Sequence, residues 1–180
     1  MQDLQDTWLA AWRFAALAHH GQTLPGKDLP YLVHLGAVSM EILVAHHQLA
    51  FARPRLALQC ALLHDTLEDT QVNEAAIAST FGLDVAAGVR ALTKNASLPK
   101  REAMMDSLRR IREQPFEIWA VKLADRITNL GPPPERWGPE KIAIYREEAE
   151  MILAELRDAH APLAARLAHR ISEYPHGKSE

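Results

Sequence analysis

The chain has 180 residues, of which 48% are hydrophobic and 24% charged, and its formal net charge is −3. This size and composition are typical of one globular domain with a sizeable core, and the negative charge argues against a general nucleic-acid partner. Cys60 is the single cysteine, which excludes an internal disulfide, and no apolar stretch approaches the roughly 20 residues of a membrane span. The amino terminus does not resemble a secretory signal, so we expect a cytoplasmic protein with no membrane partner.

Apolar residues recur at helical spacing along nearly the whole chain. The predicted helices, in chain order, cover about 4–20, 31–47, 54–69, 70–81, 84–93, 100–113, 115–130, 139–159 and 162–174, with Asp84 as the cap of the fifth. No segment alternates as a strand does. We therefore expect an all-α fold, a bundle of about eight to ten helices that forms a single domain over residues 1–180. The apolar stripe of 139–159 could pack within the domain or against a second copy, so a homo-oligomer stays open.

Groups that bind metals or move protons are concentrated in one short apolar stretch. They are His64, Asp65, Glu68 and Asp69. On a continuous helix His64 and Glu68 are four residues apart and share a face, and so do Asp65 and Asp69. Placing such groups beside a core costs several kcal/mol unless a cation or hydrogen bonds compensate. The pattern favours a divalent metal site, and the alternative is a helix with solvated acids.

Two further residues stand in similarly apolar surroundings. His34 follows Leu32 and Val33, and Asp125 interrupts a strongly apolar predicted helix. Lys122, Arg126 and Asn129 share a stripe with that aspartate at three- and four-residue spacing. Taken singly, a core histidine and an aspartate paired with a neighbouring base are the commoner interpretations. Three or four protein ligands are usual for a bound metal, however, and these two would complete such a set.

Together the residues follow the order His, His-Asp, Asp, each part on its own predicted helix. This order resembles the HD-domain metal-dependent phosphohydrolases, and the hydrolase domain of the Rel/SpoT enzymes in particular. The matching segments are 21–22, 30–34, 61–70, 81–82, 92–94 and 121–130, within a similarity that covers roughly 8–160. With no synthetase region, the chain is similar to a stand-alone small alarmone hydrolase of the HD-domain class.

The resemblance implies a mechanism and a set of site residues. It implies Mn²⁺ bound by His34, His64, Asp65 and Asp125, and removal of the 3′-pyrophosphate of (p)ppGpp. It implies that Glu68 and Asp69 act on the attacking water and assist proton transfer, without separate acid and base roles. The implied nucleotide contacts are Tyr31, Lys94, Lys100, Lys122, Arg126, Asn129 and Tyr145. Core packing is the alternative for the two tyrosines, and pairing within the same helix is the alternative for Lys122, Arg126 and Asn129.

The loop before Tyr31 departs from the family pattern, which has an Arg-Lys pair shortly after Gly-Gln. Residues 23–28 read Thr-Leu-Pro-Gly-Lys-Asp instead. Lys27 is a candidate for the missing lysine, but neither Leu24 nor Pro25 can stack and hydrogen-bond as an arginine does. Recognition of the base is therefore open, and (p)ppApp is an alternative substrate to (p)ppGpp.

Two other functions are alternatives to alarmone hydrolysis. The chain could be another HD nucleotide phosphohydrolase, of the 5′-nucleotidase or dNTPase type, but Glu68, Asp69 and the 121–130 segment argue against that. It could also be a non-catalytic nucleotide-sensing HD domain, although none of the expected ligands is lost. The segment 90–112, with seven basic and two acidic residues, is either a solvated helix face or a surface that suits a polyphosphate.

Overall fold

Residues 3–177 are described by the computed structural model, and within them regular structure is almost entirely helical. The ten α-helices are α1 Leu4–Ala18, α2 Leu32–Gln48, α3 Pro54–Leu63, α4 Thr66–Asp69, α5 Glu74–Phe81, α6 Leu83–Leu92, α7 Lys100–Arg112, α8 Phe116–Asn129, α9 Pro139–Leu156 and α10 Ala161–Glu173. A short 3₁₀ helix, Arg157–Ala159, joins the last two. In this part of the chain β pairing is limited to an isolated bridge between Thr23 and Pro30. The all-α prediction is confirmed.

Helix α3 runs through the middle of the molecule. It packs against α1, α2, α6 and α8, and seven of its ten residues are buried. Leu58, Leu62 and Leu63 are at most 1% exposed, and burying each such side chain contributes about 1.5–3 kcal/mol. Helix α8 is buried from Ala120 to Ile127 and packs on α2, α3 and α10. These central helices therefore form a rigid frame from which functional side chains can project.

The helix predicted over 54–69 is wrong as a single element. Regular α-helix ends at Leu63, and α4 begins at Thr66, with His64 and Asp65 in the connection. Asp65 has φ −98° and ψ −1°, which departs from regular helical values. The backbone N–H of Asp69 donates to the carbonyl of Asp65 at 2.9 Å, which closes the first turn of α4. The break changes where the two side chains point.

Two other predicted boundaries are also wrong, for reasons of capping. Helix α5 begins at Glu74 rather than near 70, because the side chain of Asn73 accepts from the N–H of Ala76 at 3.0 Å. Helix α6 is preceded by Gly82, whose φ of 95° suits glycine. Asp84 therefore lies inside the first turn of α6, where it pairs with Arg53 rather than capping the helix.

None of the described helices combines the length and the hydropathy that crossing a membrane would require.

Candidate metal centre and pocket

Four side chains from three parts of the fold converge on one point. His34 lies in the first turn of α2, Asp125 lies on α8, and His64 and Asp65 occupy the break after α3. One ligand atom from each of His34, His64 and Asp125 lies within 4.8 Å of the other two. Oδ2 of Asp65 lies 2.9 Å from Nε2 of His64 and 3.6 Å from Nε2 of His34. The sequence-predicted ligand set is thus brought together in space.

The two imidazole rings present the same nitrogen to this point. Nδ1 of His64 lies 2.9 Å from the carbonyl oxygen of Ala61, which can only accept, so Nδ1 carries the proton in that bond. Nδ1 of His34 faces the Thr128 hydroxyl at 3.4 Å, and that hydroxyl donates to the carbonyl of Asp125 at 2.8 Å. The Nε2 atoms are therefore left as acceptors, and they face each other at 3.2 Å. Two such lone pairs require a proton or a cation between them.

The buried carboxylates of the centre also favour a positive charge beside them. Burial lowers the pKa of His64, but the carboxylates of Asp65 and Asp125 outweigh this effect and raise the pKa to about 10. Burial likewise raises the pKa of Asp125, yet Lys122 and the two histidines hold it well below its usual range. The pKa of Asp65 is lowered in the same way, chiefly by His64. Both carboxylates are ionised at neutral pH, and Asp125 is the more buried of the two.

The donor set fits a divalent metal ion. Two imidazole nitrogens and two carboxylates suit first-row transition metals and zinc. With metal–ligand bonds of about 2.1 Å, adjacent ligand atoms lie roughly 3 Å apart, and the separations here run from 2.9 to 3.7 Å. Three of the ligand side chains are at most 9% exposed, so a bound ion would be largely shielded from solvent.

Neighbours on α8 hold Asp125 from both sides. Nζ of Lys122 lies 2.9 Å from Oδ2 of the aspartate, and Nδ2 of Asn129 donates to Oδ1 at 2.6 Å. Such outer contacts fix a ligand's orientation and tune its charge. Two members of the predicted polar stripe, Lys122 and Asn129, therefore orient Asp125, whereas Arg126 is directed toward Glu148.

The two candidate catalytic carboxylates lie on the short helix α4, directly after the ligands. Oε2 of Glu68 accepts from the backbone N–H of Lys94 at 2.9 Å, and Nζ of the same lysine lies 3.6 Å from Oε1. Partial burial raises the pKa of Asp69, and the negative charges of Asp65 and Glu68 raise it further. One carboxylate is thus held by a lysine, whereas the other is biased toward keeping a proton.

These groups line one pocket of about 230 Å³. Its lining includes ten of the predicted site residues, namely Tyr31, His34, His64, Asp65, Glu68, Asp69, Lys94, Lys122, Asp125 and Asn129. Leu24 and Pro25 of the loop before α2 close one side. A larger cavity of about 640 Å³ at the start of α3 surrounds the Arg53–Asp84 ion pair instead. Ligand convergence, rather than cavity size, identifies the site.

Four predicted nucleotide contacts lie outside the pocket lining. Lys27 and Lys100 are exposed, on the loop and at the start of α7. Arg126 is only 4% exposed, with Nη2 3.2 Å from Glu148 and its guanidinium 4.3 Å from the ring centre of Tyr145. Within the described residues its Nε and Nη1 atoms have no hydrogen-bond partner. Arg126 and Tyr145 thus pack on each other behind the metal centre.

Most of the basic segment 90–112 is engaged in contacts within the protein. Arg109 pairs with Asp106 and Glu113, and Arg112 pairs with Glu155. Arg110 donates to three carbonyl groups at the carboxyl end of α6. This arrangement satisfies orphan carbonyls of a helix end and matches the helix dipole. Lys94 is the member of the segment that lines the pocket.

The sequence analysis did not identify His19, which is only 3% exposed and stacks on Tyr31 with ring centres 5.0 Å apart. A signal was present, because Ala11, Ala15 and His19 follow at four-residue spacing and all are buried. The next residue, His20, is exposed, so burial is specific to one of the two consecutive histidines.

Comparison with known proteins agrees with this geometry. Residues 11–170 match a family model described as an HD domain. A relative from Danio rerio, named guanosine-3′,5′-bis(diphosphate) 3′-pyrophosphohydrolase MESH1, is 31% identical over 159 residues, which are 86% of each chain. The Homo sapiens relative of the same name is 30% identical over 89% of this chain and 90% of its own. A solved structure, described as a metazoan ortholog of SpoT that hydrolyzes ppGpp, superposes with a TM-score of 0.81 at 27% identity, covering 94% and 96% of the two chains.

Proposed function

We propose, from the premise that this chain belongs to the HD-domain family, that it is a metal-dependent hydrolase of purine nucleotide alarmones that removes their 3′-pyrophosphate. The family predicted from the sequence is confirmed by the match over 11–170 and by relatives at 30–31% identity. The observation that carries the proposed activity is that four ligand side chains and two further carboxylates share one pocket.

We assign the metal as Mn²⁺, held by His34, His64, Asp65 and Asp125. When bound, the ion would supply Lewis-acid charge to a phosphoryl oxygen and to the nucleophilic water. The mixed nitrogen and oxygen donor set supports a borderline divalent ion rather than Mg²⁺, which prefers oxygen ligands and water.

Hydrolysis needs two proton transfers, and α4 supplies two carboxylates for them. The oxygen of water forms a bond to the phosphorus next to the ribose, the bond from that phosphorus to O3′ breaks, and O3′ takes up a proton. Glu68 is the candidate that accepts the proton of the water, because it lines the pocket and the backbone N–H and ammonium group of Lys94 orient its side chain. Asp69, whose pKa is raised, is the candidate that holds and delivers a proton to O3′.

The pocket also offers positive charge and hydrogen-bond donors for a polyphosphate. Lys94 and Lys122 place ammonium groups in its lining, and Asn129 adds an amide. These residues are our proposed phosphate and ribose contacts. Lys27, Lys100, Arg126 and Tyr145 remain weaker candidates, since each would have to approach a substrate that extends beyond the pocket.

Base recognition falls to the loop before α2. Its wall consists of Leu24 and Pro25, which offer apolar surface without a hydrogen-bonding group that distinguishes bases. One cation does reach this loop from another part of the chain, because Nη1 of Arg136 lies only 2.7 Å from where a Cβ of Gly26 would be. We propose that both (p)ppGpp and (p)ppApp are accepted.

The proposal also covers the domain organisation, location and partners of the protein. We propose that residues 1–180 act as one HD domain in the cytoplasm, on a small-molecule nucleotide and without nucleic-acid or membrane partners. Pairing of the arginines on α7 with acids and carbonyl groups supports the absence of a nucleic-acid surface. Self-association through α9 remains a hypothesis that sedimentation velocity would test.

The deciding experiment is turnover of ppGpp and ppApp, at equal concentration and with Mn²⁺, followed by ion-exchange chromatography. We expect pyrophosphate and the nucleoside 5′-diphosphate from both substrates, and no product from Asp65→Ala. Loss of a 5′-phosphate would instead indicate a nucleotidase or dNTPase type of HD enzyme. Tight nucleotide binding with no product would indicate a non-catalytic sensor, and either result would refute the proposal.

A further inference from the structure

We propose that Tyr31 and His19 are positioning residues for the metal centre, in which the stacked rings hold the carboxylate of Asp65 in its ligating orientation. The inference rests on the metal site of the proposed function, but not on the identity of the nucleotide. It gives Tyr31 a role different from the nucleoside contact that the sequence resemblance implies, and it gives His19 a role for the first time.

The hydroxyl of Tyr31 contacts the metal centre directly. It donates to Oδ2 of Asp65 at 2.5 Å, and this is the oxygen that lies 2.9 Å from Nε2 of His64. Asp65 sits in a break between helices and is the most exposed of the four predicted ligands, at 21% of its side chain. Asp125 receives hydrogen bonds from two neighbours on its own helix. Apart from its contacts with the two ligating histidines, Asp65 is held by this phenol.

The phenol is in turn held by a closed set of contacts between the end of α1 and the start of α2. The ring of His19 stacks on Tyr31 at an interplanar angle of 20°. Nδ1 of His19 lies 2.6 Å from the side-chain oxygen Oε1 of Gln22. The backbone carbonyl of Gln22 accepts from the backbone N–H of Tyr31 at 2.9 Å. Gln22 also donates its own N–H to the carbonyl of His19 at 3.0 Å. His19, Gln22 and Tyr31 thus hold one another in place, independently of the contact with Asp65.

Two features indicate that this cluster does more than fill space. Nε2 of His19 is buried and has no hydrogen-bond partner among the described residues, which is a cost that a purely apolar ring would avoid. The ring of Tyr31 also has histidines as neighbours, with His34 tilted by 56° at 5.6 Å from it. With one face stacked on His19 and its hydroxyl engaged, the phenol is better placed to brace a ligand than to stack on a base.

The test measures Mn²⁺ affinity on the full, metal-stripped protein, using the electron paramagnetic resonance signal of free Mn²⁺. We expect Tyr31→Phe to weaken Mn²⁺ binding by about 10- to 100-fold, the range for loss of contacts that support a metal ligand. His19→Ala should weaken it in the same direction without touching any ligand. Matched controls are Tyr174→Phe, which removes another tyrosine hydroxyl, and His20→Ala, which removes the exposed neighbour, and both should bind Mn²⁺ as the wild type does.

The outcomes separate this role from the others. At saturating Mn²⁺ the Tyr31→Phe variant should recover most of its kcat with little change in the nucleotide KM. Unchanged Mn²⁺ affinity in both variants would overturn the proposal, and a raised KM with unchanged affinity would identify a nucleoside contact instead. A role in stability alone would lower the metal-free Tm of His19→Ala and leave the Mn²⁺ affinity intact. If the wild type hydrolysed no alarmone while the variants still lost Mn²⁺ affinity, the proposed function would fail and this inference would stand.

Discussion

His64 and Asp65 reach the same point although they are consecutive residues. On a regular helix, consecutive side chains point about 100° apart around the axis, so both could not face one ion. The connection between α3 and α4 turns the backbone at Asp65 and brings Nε2 and Oδ2 to 2.9 Å. The same turn directs α4, and with it Glu68, toward the pocket. The placement of the candidate metal ligands and of Glu68, the proposed general base, thus depends on one local departure from helical geometry.

Substituting Glu68 separates proton transfer from metal binding. We expect Glu68→Gln to lower kcat by about 10²- to 10⁴-fold, the usual contribution of a general base, with Mn²⁺ affinity retained. The amide oxygen can still accept from the N–H of Lys94, so the fold around α4 should survive. Steady-state kinetics and Mn²⁺ titration check the two expectations. Glu102→Gln, on the exposed face of α7, is the matched control, and a Glu68→Gln rate near that of the control would contradict the assigned role.

Binding of Mn²⁺ should release a proton. In the metal-free protein the pKa of His64 is raised to about 10, although burial alone would lower it. The protonated imidazolium therefore stabilises the folded state below pH 6.5, and this stabilisation is lost as the pH rises toward 10. Because a ligating histidine must be neutral, Mn²⁺ affinity should rise by up to about tenfold for each pH unit between these values. Calorimetry in buffers with different ionisation enthalpies counts the protons, and a pH-independent affinity would contradict the assignment.

At the level of single residues, sequence spacing and the family resemblance together predicted the residues of this centre. What they could not give is orientation. Arg126 and Asn129 share the stripe with Asp125, yet Asn129 donates to the ligand whereas Arg126 turns toward Glu148 and Tyr145. The direction of an arginine depends on which acid and ring a distant helix supplies, and α9 supplies both. His19 was missed for a similar reason, since its partner Tyr31 belongs to another helix.

Close contact of α3, α6 and α8 at Gly88 should be sensitive to a single methyl group. A Cβ there would lie 2.6 Å from Cδ1 of Ile118 and 2.9 Å from Sγ of Cys60. We expect Gly88→Ala to lower the free energy of unfolding by about 1–3 kcal/mol, as overpacking does. Urea denaturation with constant m value measures the change.

A second substitution makes this prediction specific. Ile118→Val removes the Cδ1 atom nearest to the added methyl group, so combining it with Gly88→Ala should cost less than the sum of the two single changes. Gly131→Ala is the matched control, because no atom lies within 4 Å of its Cβ position. Equal stability of Gly88→Ala and Gly131→Ala would show that the helices can separate freely at this point.

Apolar periodicity predicted which segments form helices and their order along the chain. It did not predict where a helix is interrupted or which residue caps its end. The positions of α1, α2, α7, α8 and α10 differ from expectation by a few residues at most. The break at His64 was invisible because Leu62, Leu63 and Leu67 continue the helical spacing across it. Capping at Gly82 rather than Asp84 depends on a positive φ that spacing does not report.

For the whole molecule, a metal that joins α2, α8 and the α3–α4 connection should stabilise the fold. At a free Mn²⁺ concentration of 100 Kd, the folded state gains about 2.7 kcal/mol. For a chain of this size that corresponds to a rise in Tm of roughly 5–11 °C. Differential scanning calorimetry with Mn²⁺, and after treatment with a chelator, measures it. The rise should disappear in Asp65→Ala, and a wild-type Tm that is indifferent to Mn²⁺ would argue against a site that spans the three elements.

The overall architecture was predictable because helix periodicity and the resemblance pointed to the same all-α fold. The arrangement of helices in space was available only through the resemblance. Nothing in the spacing of α2 and α8 alone states that both pack on α3, since that depends on which apolar faces fit together. The loop at 22–30 was likewise only partly predictable. Its departure from the family pattern was visible in the sequence, but its backbone conformation was not.

That loop is closed on itself at its base. The N–H of Leu24 donates to the carbonyl of Leu29 at 2.9 Å, Thr23 bridges to Pro30, and the N–H of Tyr31 donates to the carbonyl of Gln22 at 2.9 Å. Because these bonds fix the two ends of the loop, we expect insertions, deletions or exchanges within residues 25–28 to leave the start of α2 in place. On the proposed function, base preference can therefore diverge in this loop, during evolution or in a directed library, without a change in the residues that would hold the metal.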